Sequence, residues 1–186
     1  MGFFRTAFYM PVVMSAVVVG MIWTNLLDSA GLVNSVLKAL KIISKPVPFL
    51  TDRWGVLFSS MFVTIWLGLG YYMVIYLTAL ANIDESLYEA ASLDGAGPVR
   101  QFIYVTMPGV RSTMMLIMML STIAAFRVFN EIYVLTNGSA GPGGMDMTMS
   151  MLIKREGTGI QARTGYASAI SIVVLVIVGV MLIVQQ

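Results

Sequence analysis

The chain has 186 residues, of which 58% are hydrophobic and 11% are charged, and its formal net charge is +2. Soluble domains carry about a quarter charged residues, so this composition indicates a membrane protein. There is no cysteine and no histidine, which excludes disulfides, thiol catalysis, Cys/His zinc sites and serine–histidine triads. The small net charge and the lack of a basic patch with interleaved aromatic residues argue against nucleic-acid binding.

Four stretches of the chain are long and apolar enough to cross a bilayer, which takes about 20 residues. They cover roughly residues 8–27, 54–80, 113–135 and 166–184. Backbone groups in lipid must be paired within their own segment, so each stretch is predicted to be a helix. The sequence therefore predicts an all-α polytopic protein, with residues 1–186 forming a single transmembrane domain.

Two of the connections have simple interpretations. In residues 28–53, the stretch 31–43 has apolar residues at helical spacing and predicts a short amphipathic helix on the membrane surface, ended by Pro46 and Pro48. Residues 137–164 begin with a glycine-rich run and predict an exposed loop. That run lacks the GK[ST] ending and the preceding strand of a phosphate loop, so ATP binding is expected in another chain.

The third connection is residues 82–111. Asp84 is a suitable N-cap for a short helix, and Gly95 suits the position after its last turn, where φ is positive. Gly97 and Pro98 then break the chain and begin a second helix, because proline favours the first helical position. Pro108 predicts a further break before the third span. The loop is therefore predicted to be a helix–turn–helix between two spans.

A spaced motif runs through residues 82–111. Glu89-Ala90-Ala91 is followed by three residues and Gly95, and nine more residues lead to Val105-Thr106-Met107-Pro108. This pattern resembles the cytoplasmic signature of permease subunits of binding-protein-dependent ABC importers, with Val105 and Met107 in place of the usual Ile and Leu. Four further segments resemble the carbohydrate branch of that family, of the maltose and glycerol-phosphate type; they are residues 3–23, 31–37, 126–138 and 165–174.

The resemblance implies a permease subunit of an ATP-driven importer for a carbohydrate or polyol derivative, in a bacterial or archaeal plasma membrane. Residues 82–111, called the coupling loop below, would supply a short cytoplasmic coupling helix that docks into the ATPase. The implied docking residues are Glu89, Ala90, Ala91, Asp94, Gly95 and Pro108. The implied partners are two ATP-binding subunits, a second related permease subunit and an extracytoplasmic solute-binding protein. No catalytic residue, metal site or cofactor is expected in this chain.

The resemblance also bears on length and on the alternative function. Family members usually have about six spans, so this chain is expected to be a partial permease. The alternative from another class is a secondary transporter or channel fragment that works without an ATPase, and a third is a membrane anchor. Dependence on an ATP-binding partner separates the first function from the other two.

The third predicted span contains polar residues that form a candidate substrate path. They are Arg127, Asn130, Glu131 and Tyr133. Arg127 and Glu131 are four residues apart, so on one helix they would share a face and could pair. Charges within a bilayer usually face protein or water. The group is therefore either a polar wall of a substrate path or a structural ion pair near the outer interface.

The charge pattern disagrees with the orientation that the resemblance implies. A cytoplasmic coupling loop leaves three basic residues inside: Arg5, Arg100 and Arg111. It leaves seven outside: Lys38, Lys41, Lys45, Arg53, Lys154, Arg155 and Arg163. The positive-inside rule favours the opposite orientation. We give the motif more weight, because a coupling loop has to reach a cytoplasmic ATPase.

Overall fold

The computed structural model describes residues 2–160 and 162–185. The regular elements of these ranges are all helical, which confirms the predicted all-α class. Eleven α-helices follow one another in the described chain: α1 Gly2–Val13, α2 Ala16–Leu27, α3 Leu32–Ala39, α4 Arg53–Ala81, α5 Glu85–Leu93, α6 Pro98–Gln101, α7 Met107–Gly109, α8 Arg111–Phe126, α9 Asn130–Leu135, α10 Met149–Gly157 and α11 Thr164–Val184. A π-helical turn, Phe102–Thr106, joins α6 to α7, and a 3₁₀ turn, Pro142–Gly144, lies before α10.

Four helical segments of the described chain are long and apolar enough to cross a membrane. They are Ala16–Ala39, Arg53–Ala81, Arg111–Leu135 and Thr164–Val184. The 29 residues of α4 extend about 43 Å at 1.5 Å per residue, more than the hydrocarbon thickness of a bilayer. The first segment is interrupted between α2 and α3, and the third is interrupted between α8 and α9.

The predicted helix over residues 8–27 is in fact two helices. α1 contains Pro11 and ends at Val13, and Ser15 is extended, with φ −61° and ψ 133°, before α2 begins. The Met14 N–H donates to the Pro11 carbonyl at 3.2 Å, so the chain leaves α1 through a tightened turn. Hydropathy did not reveal this break because apolar residues continue through it.

The helix predicted over residues 31–43 is shorter than expected. α3 ends before Lys41, which adopts a positive φ of 56°. The Lys41 and Ile42 N–H groups donate to the carbonyls of Lys38 and Leu37, a pattern that closes a helix without help from the later prolines. The buried Asn34 side chain then fixes the returning chain, since it bonds to both the N–H and the carbonyl of Val47.

Two small apolar clusters hold the helices together. Val19, Val63 and Leu135 pack where α2, α4 and α9 meet, and Trp23 and Trp66 lie against them. Ile132 on α9 packs with Ala140 and Met151 of the following loop. Many other large apolar side chains are exposed, including Leu175 of α11, at 71%. A folded chain with so much apolar surface needs lipid or further protein around it.

Candidate functional site

The coupling loop contains the first candidate site, and its entry into α5 follows the local sequence. The Asp84 carboxylate accepts a hydrogen bond of 2.9 Å from the Ser86 N–H, so Asp84 is the N-cap of α5. This bond stabilises the ionised carboxylate and lowers the pKa of Asp84 below its usual range. The structure thus agrees with the predicted helix start.

The end of α5 is fixed by Gly95, whose φ is +74°. The Gly95 N–H donates to the Ser92 carbonyl at 3.0 Å, and the Ala96 N–H donates to the Ala91 carbonyl at 2.9 Å. Together these bonds form a Schellman motif, which needs a left-handed residue at the position of Gly95. The structure therefore places Gly95 where the sequence predicted it and supplies the reason for glycine there.

The second half of the loop differs from the prediction at Pro108. Pro98 begins α6 as expected, but the chain stays helical through the π-helical turn into α7, which contains Pro108. The Met107 N–H donates to the Phe102 carbonyl, five residues back. Pro108 has no N–H and its ring would clash with the carbonyl four residues earlier, and the wider turn accommodates both. The break before α8 comes at Val110, with φ −99° and ψ 3°.

Side-chain hydrogen bonds that sequence analysis missed brace the two halves of the loop. The hydroxyls of Tyr88 and Thr106 are 2.8 Å apart and share a hydrogen bond. The Gln101 amide donates to the Ser92 hydroxyl at 2.8 Å and to the Ala96 carbonyl at 3.2 Å. The loop is thus one internally bonded unit, and no local pattern indicates residues that meet only after the turn has formed.

The braced loop also presents a free surface. No residue of α5, α6 or α7 is buried, and Leu93 is 90% exposed and Tyr104 76% exposed. Glu89, Ala90, Asp94 and Gly95 are all exposed, and Ala91 is half-buried. Within the described chain, the Glu89 carboxylate has no hydrogen-bond or ion-pair partner. A rigid, projecting surface that joins apolar side chains to unpaired charge is typical of a protein-binding site.

The second candidate site is a groove between α4 and α8. One cavity of about 400 Å³ is lined by Tyr71 and Tyr72 of α4 together with Arg127 and Glu131. A neighbouring cavity of about 580 Å³ continues along the same two helices, and Tyr72 lines both. The groove combines aromatic walls with two ionisable groups, a composition that is typical of ligand-binding sites.

The predicted i, i+4 ion pair in the third span is not formed. Arg127 follows the last residue of α8, Phe129 leaves helical geometry with φ −142° and ψ −57°, and Glu131 lies in the first turn of the separate helix α9. Among the described residues, the only salt bridge joins Arg155 to Glu156. The prediction assumed a continuous helix, and the break removes that assumption.

The other two predicted path residues lie outside the groove lining. Asn130 is exposed at the start of α9. Tyr133 is on another side of α9, where its ring stacks on Phe129 at 5.0 Å and lies under Lys154. The described residues contain no group of three or more acidic, cysteine or histidine side chains close enough to hold a metal ion.

Comparison with known proteins places this geometry in context. Residues 1–186 match the family model described as binding-protein-dependent transport system inner membrane component. The lactose transport system permease protein LacF of Rhizobium radiobacter is 33% identical over 184 residues, which cover 99% of this chain and 62% of that protein. The diacetylchitobiose uptake system permease protein NgcF of Streptomyces coelicolor is 32% identical, over 92% of this chain and 49% of that protein.

A solved structure also resembles the present chain. A chain of the bacterial alginate ABC transporter, crystallised with an alginate pentasaccharide-bound periplasmic protein, superimposes with a TM-score of 0.82 at 25% identity. The match covers 97% of the present chain and 62% of that chain. The present chain therefore spans between about half and about three fifths of the length of these matches. The inner-membrane family and the four helices able to span a bilayer identify a multi-pass plasma-membrane protein.

Proposed function

The chain belongs to the family of binding-protein-dependent transport system inner membrane components, and we propose that it forms part of the translocation path of an ATP-driven saccharide importer. The family consists of non-enzymatic membrane subunits, so ATP hydrolysis is a task for a separate subunit. We assign this chain two roles: to contact that subunit through the coupling loop, and to line the path with the groove between α4 and α8.

The observation that carries the proposal is the braced, fully projecting coupling loop. It joins α4 to α8, so a force applied to α5 reaches two helices that line the groove. Ile83 supports this connection, because a Cβ placed on Gly109 would lie only 2.9 Å from its side chain, which shows how closely the two ends of the loop approach. In this proposal the ATPase cleft receives the face of α5 that carries Glu89, Ala90, Ala91, Asp94 and Gly95, and Pro108 helps to set the angle of the second half.

The substrate class is proposed from the groove and the relatives together. Tyrosine rings offer apolar faces and hydroxyls to sugar rings, and Arg127 and Glu131 offer a donor and an acceptor to sugar hydroxyls. The relatives' names mention lactose, arabinooligosaccharides and diacetylchitobiose, and the solved neighbour imports alginate. We therefore propose a saccharide, with Arg127 and Glu131 as its contacts among the four predicted path residues.

The proposed assembly contains a second related permease subunit, two ATP-binding subunits and an extracytoplasmic binding protein. Support comes from the family description and from the solved neighbour, which was crystallised with a periplasmic protein. This arrangement would let ATP-driven closure of the ATPases rock the permease spans between inward- and outward-facing states.

Co-purification of the importer with its ATP-binding subunit tests the docking role. Glu89→Lys should abolish co-purification while leaving thermal unfolding unchanged, because the described chain gives Glu89 no internal partner. Glu85→Lys is the matched control: the same charge reversal on an exposed residue of the same helix, outside the motif, should retain the ATPase. Gly95→Asp should also lose it.

Two outcomes would contradict the proposal. One is ATPase retention by both the Glu89→Lys and the Gly95→Asp variants. The other is saccharide uptake by this chain and its permease partner in vesicles that lack any ATP-binding subunit, which would identify a secondary transporter instead.

A further inference from the structure

Two cavities meet at Lys154 on the side of the molecule opposite the coupling loop. One, of about 280 Å³, lies between α9 and α10 and is lined in part by Phe129, Tyr133 and Lys154. The other, of about 320 Å³, lies between α10 and α11, and Lys154 and Thr158 belong to both linings. Lys154 therefore stands at the junction of one composite recess, which we call the Lys154 recess.

The Lys154 ammonium is held in place without being neutralised. Its nitrogen lies 3.9 Å from the centre of the Tyr133 ring and 4.9 Å from that of Phe129. These rings stack on each other, so they form a fixed platform beneath the cation. No carboxylate of the described chain is paired with Lys154. The nearest acid along α10, Glu156, is bound to Arg155 at 3.1 Å.

The remaining polar lining of the recess consists of hydroxyls and of Arg155, which is paired with Glu156. Thr164 and Ser168, one turn apart on α11, line the second cavity, and neither hydroxyl has a hydrogen-bond partner within the described residues. The Thr158 hydroxyl donates to the Lys154 carbonyl, which leaves its oxygen lone pairs open to the recess. No aspartate or glutamate belongs to either lining. The recess thus presents one unpaired cation and free hydroxyl donors, with no negative charge.

This chemistry matches an anionic, hydroxyl-rich ligand. A carboxylate would complete the charge-assisted contact that Lys154 lacks, and sugar hydroxyls would satisfy Thr164 and Ser168. Neutral sugar rings gain less here, because Phe129 and Lys154 already lie against the Tyr133 ring. We propose that the Lys154 recess binds the carboxylate of a uronate-containing oligosaccharide; this inference rests on the proposed saccharide import.

The position of α9 relates the recess to the groove. Phe129 and Tyr133 line the recess, whereas Arg127 and Glu131 line the groove, so this short helix and its leading break separate the two. An oligosaccharide bound at Lys154 would be separated from the groove only by α9. The recess is therefore an outer binding site that selects anionic solutes before they enter the groove.

Equilibrium binding to the assembled importer in lipid nanodiscs, without nucleotide, tests this inference. The probes are trigalacturonate and its neutral, carboxyl-reduced counterpart. Trigalacturonate should bind more tightly, and its advantage should shrink as salt is raised. Lys154→Met keeps an apolar stem over the two rings but removes the charge, so it should weaken trigalacturonate binding about tenfold or more and leave the neutral probe unchanged.

Lys154→Arg should restore most of the trigalacturonate affinity, because it restores the charge. Lys45→Met, at an exposed lysine outside the recess, should have no effect. Equal binding of the two probes, or an unchanged preference in Lys154→Met, would overturn the inference. Co-purification of the ATP-binding subunit is scored on the same preparations. Its loss with charge-selective binding intact would count against the proposed function alone.

Discussion

At the residue scale, two glycines of the coupling loop have the same free space around them but different backbone geometry. A Cβ added at Gly95 or at Gly97 would meet nothing within 4 Å, but φ is +74° at Gly95 and −71° at Gly97. An L-residue in the left-handed region costs about 1–2 kcal/mol. Gly95→Ser should therefore open the end of α5 and speed hydrogen exchange of the 95 and 96 amides about five- to thirtyfold. Gly97→Ser, at an N-cap that favours serine, should not.

Equal exchange rates in the two serine variants would show that the Schellman geometry does not depend on glycine. The same pair also separates strain from contact in the docking experiment. If the ATPase needs only the absence of a side chain at both glycines, both serine variants should weaken docking. If it needs the shape of the turn, only the variant at Gly95 should.

Asp146, in the loop between α9 and α10, predicts a pH dependence on the side of the molecule opposite the coupling loop. One of its carboxylate oxygens is buried and has no hydrogen-bond partner in the described chain. Burial raises the pKa of Asp146 above its usual 3.8; the charge on Arg53 opposes this shift and the charge on Asp52 adds to it. The folded loop therefore holds the proton to higher pH than the unfolded chain does. The resulting stabilisation is present below pH 3.8 and is lost as pH rises through the raised pKa.

Hydrogen exchange of residues 136–148, corrected for the intrinsic pH effect, should accordingly be slower at about pH 4 than at about pH 7. Asp146→Asn should remove this difference, because an amide stays neutral throughout. Asp28→Asn, at an exposed aspartate in another loop, serves as the control and should leave it in place. A pH effect that survives in Asp146→Asn would assign the dependence to another group.

At the element scale, the coupling loop works as a unit only if its two halves stay together. The bond between Tyr88 and Thr106 joins residues 18 apart in sequence. Tyr88→Phe and Thr106→Val should each loosen the loop, and a double-mutant cycle should give a coupling energy of about 1 kcal/mol. The measurement is hydrogen exchange in α5. Tyr104→Phe is the matched control, because that hydroxyl is exposed and has no partner in the described structure. A coupling energy near zero would mean that the halves are held by the backbone alone.

The coupling loop also shows which elements sequence analysis can predict. Asp84, Gly95 and Pro98 act through their own backbone neighbours, so local rules found both helix starts and the turn between them. The break predicted at Pro108 was wrong, because a π-helical turn can accommodate a proline that local rules treat as a helix end. The Tyr88–Thr106 bond escaped detection because it depends on how the two halves fold back on each other.

The candidate substrate path shows the same limit of local rules over a longer stretch of chain. The spacing of Arg127 and Glu131 predicted an ion pair only on the assumption of one helix, and the non-helical geometry at Phe129 separates them. The segment Arg111–Leu135 still has a mean hydropathy of 1.7 over its most apolar stretch, so hydropathy gave no sign of the break. The Lys154 recess could not be predicted from the sequence either, since it joins residues of α9, α10 and α11 that are distant in sequence.

At the scale of the whole molecule, the charges lie unevenly about the membrane. The coupling loop carries four acidic residues, Asp84, Glu85, Glu89 and Asp94, against Arg100 and Arg111. The opposite side carries most of the lysines and arginines, and several rest on aromatic rings: Arg53 on Trp54, Lys154 on Tyr133 and Arg163 on Tyr166. Three of the seven basic residues on that side thus contact an aromatic ring in the folded protein, so the count of basic residues needs a direct test of orientation.

Because the chain has no cysteine, single cysteines can determine its orientation directly. Leu93 in the coupling loop is 90% exposed, and Ile160 before α11 is fully exposed on the opposite side. In intact spheroplasts, a membrane-impermeant maleimide should label Ile160→Cys but not Leu93→Cys. Permeabilised cells should show labelling of both, which controls for reactivity. The reverse pattern would place α5 outside the cell, where it could not meet an ATPase, and the positive-inside count would then be right. The expected pattern would mean that the exposed Leu93 side chain faces the compartment where ATP is hydrolysed.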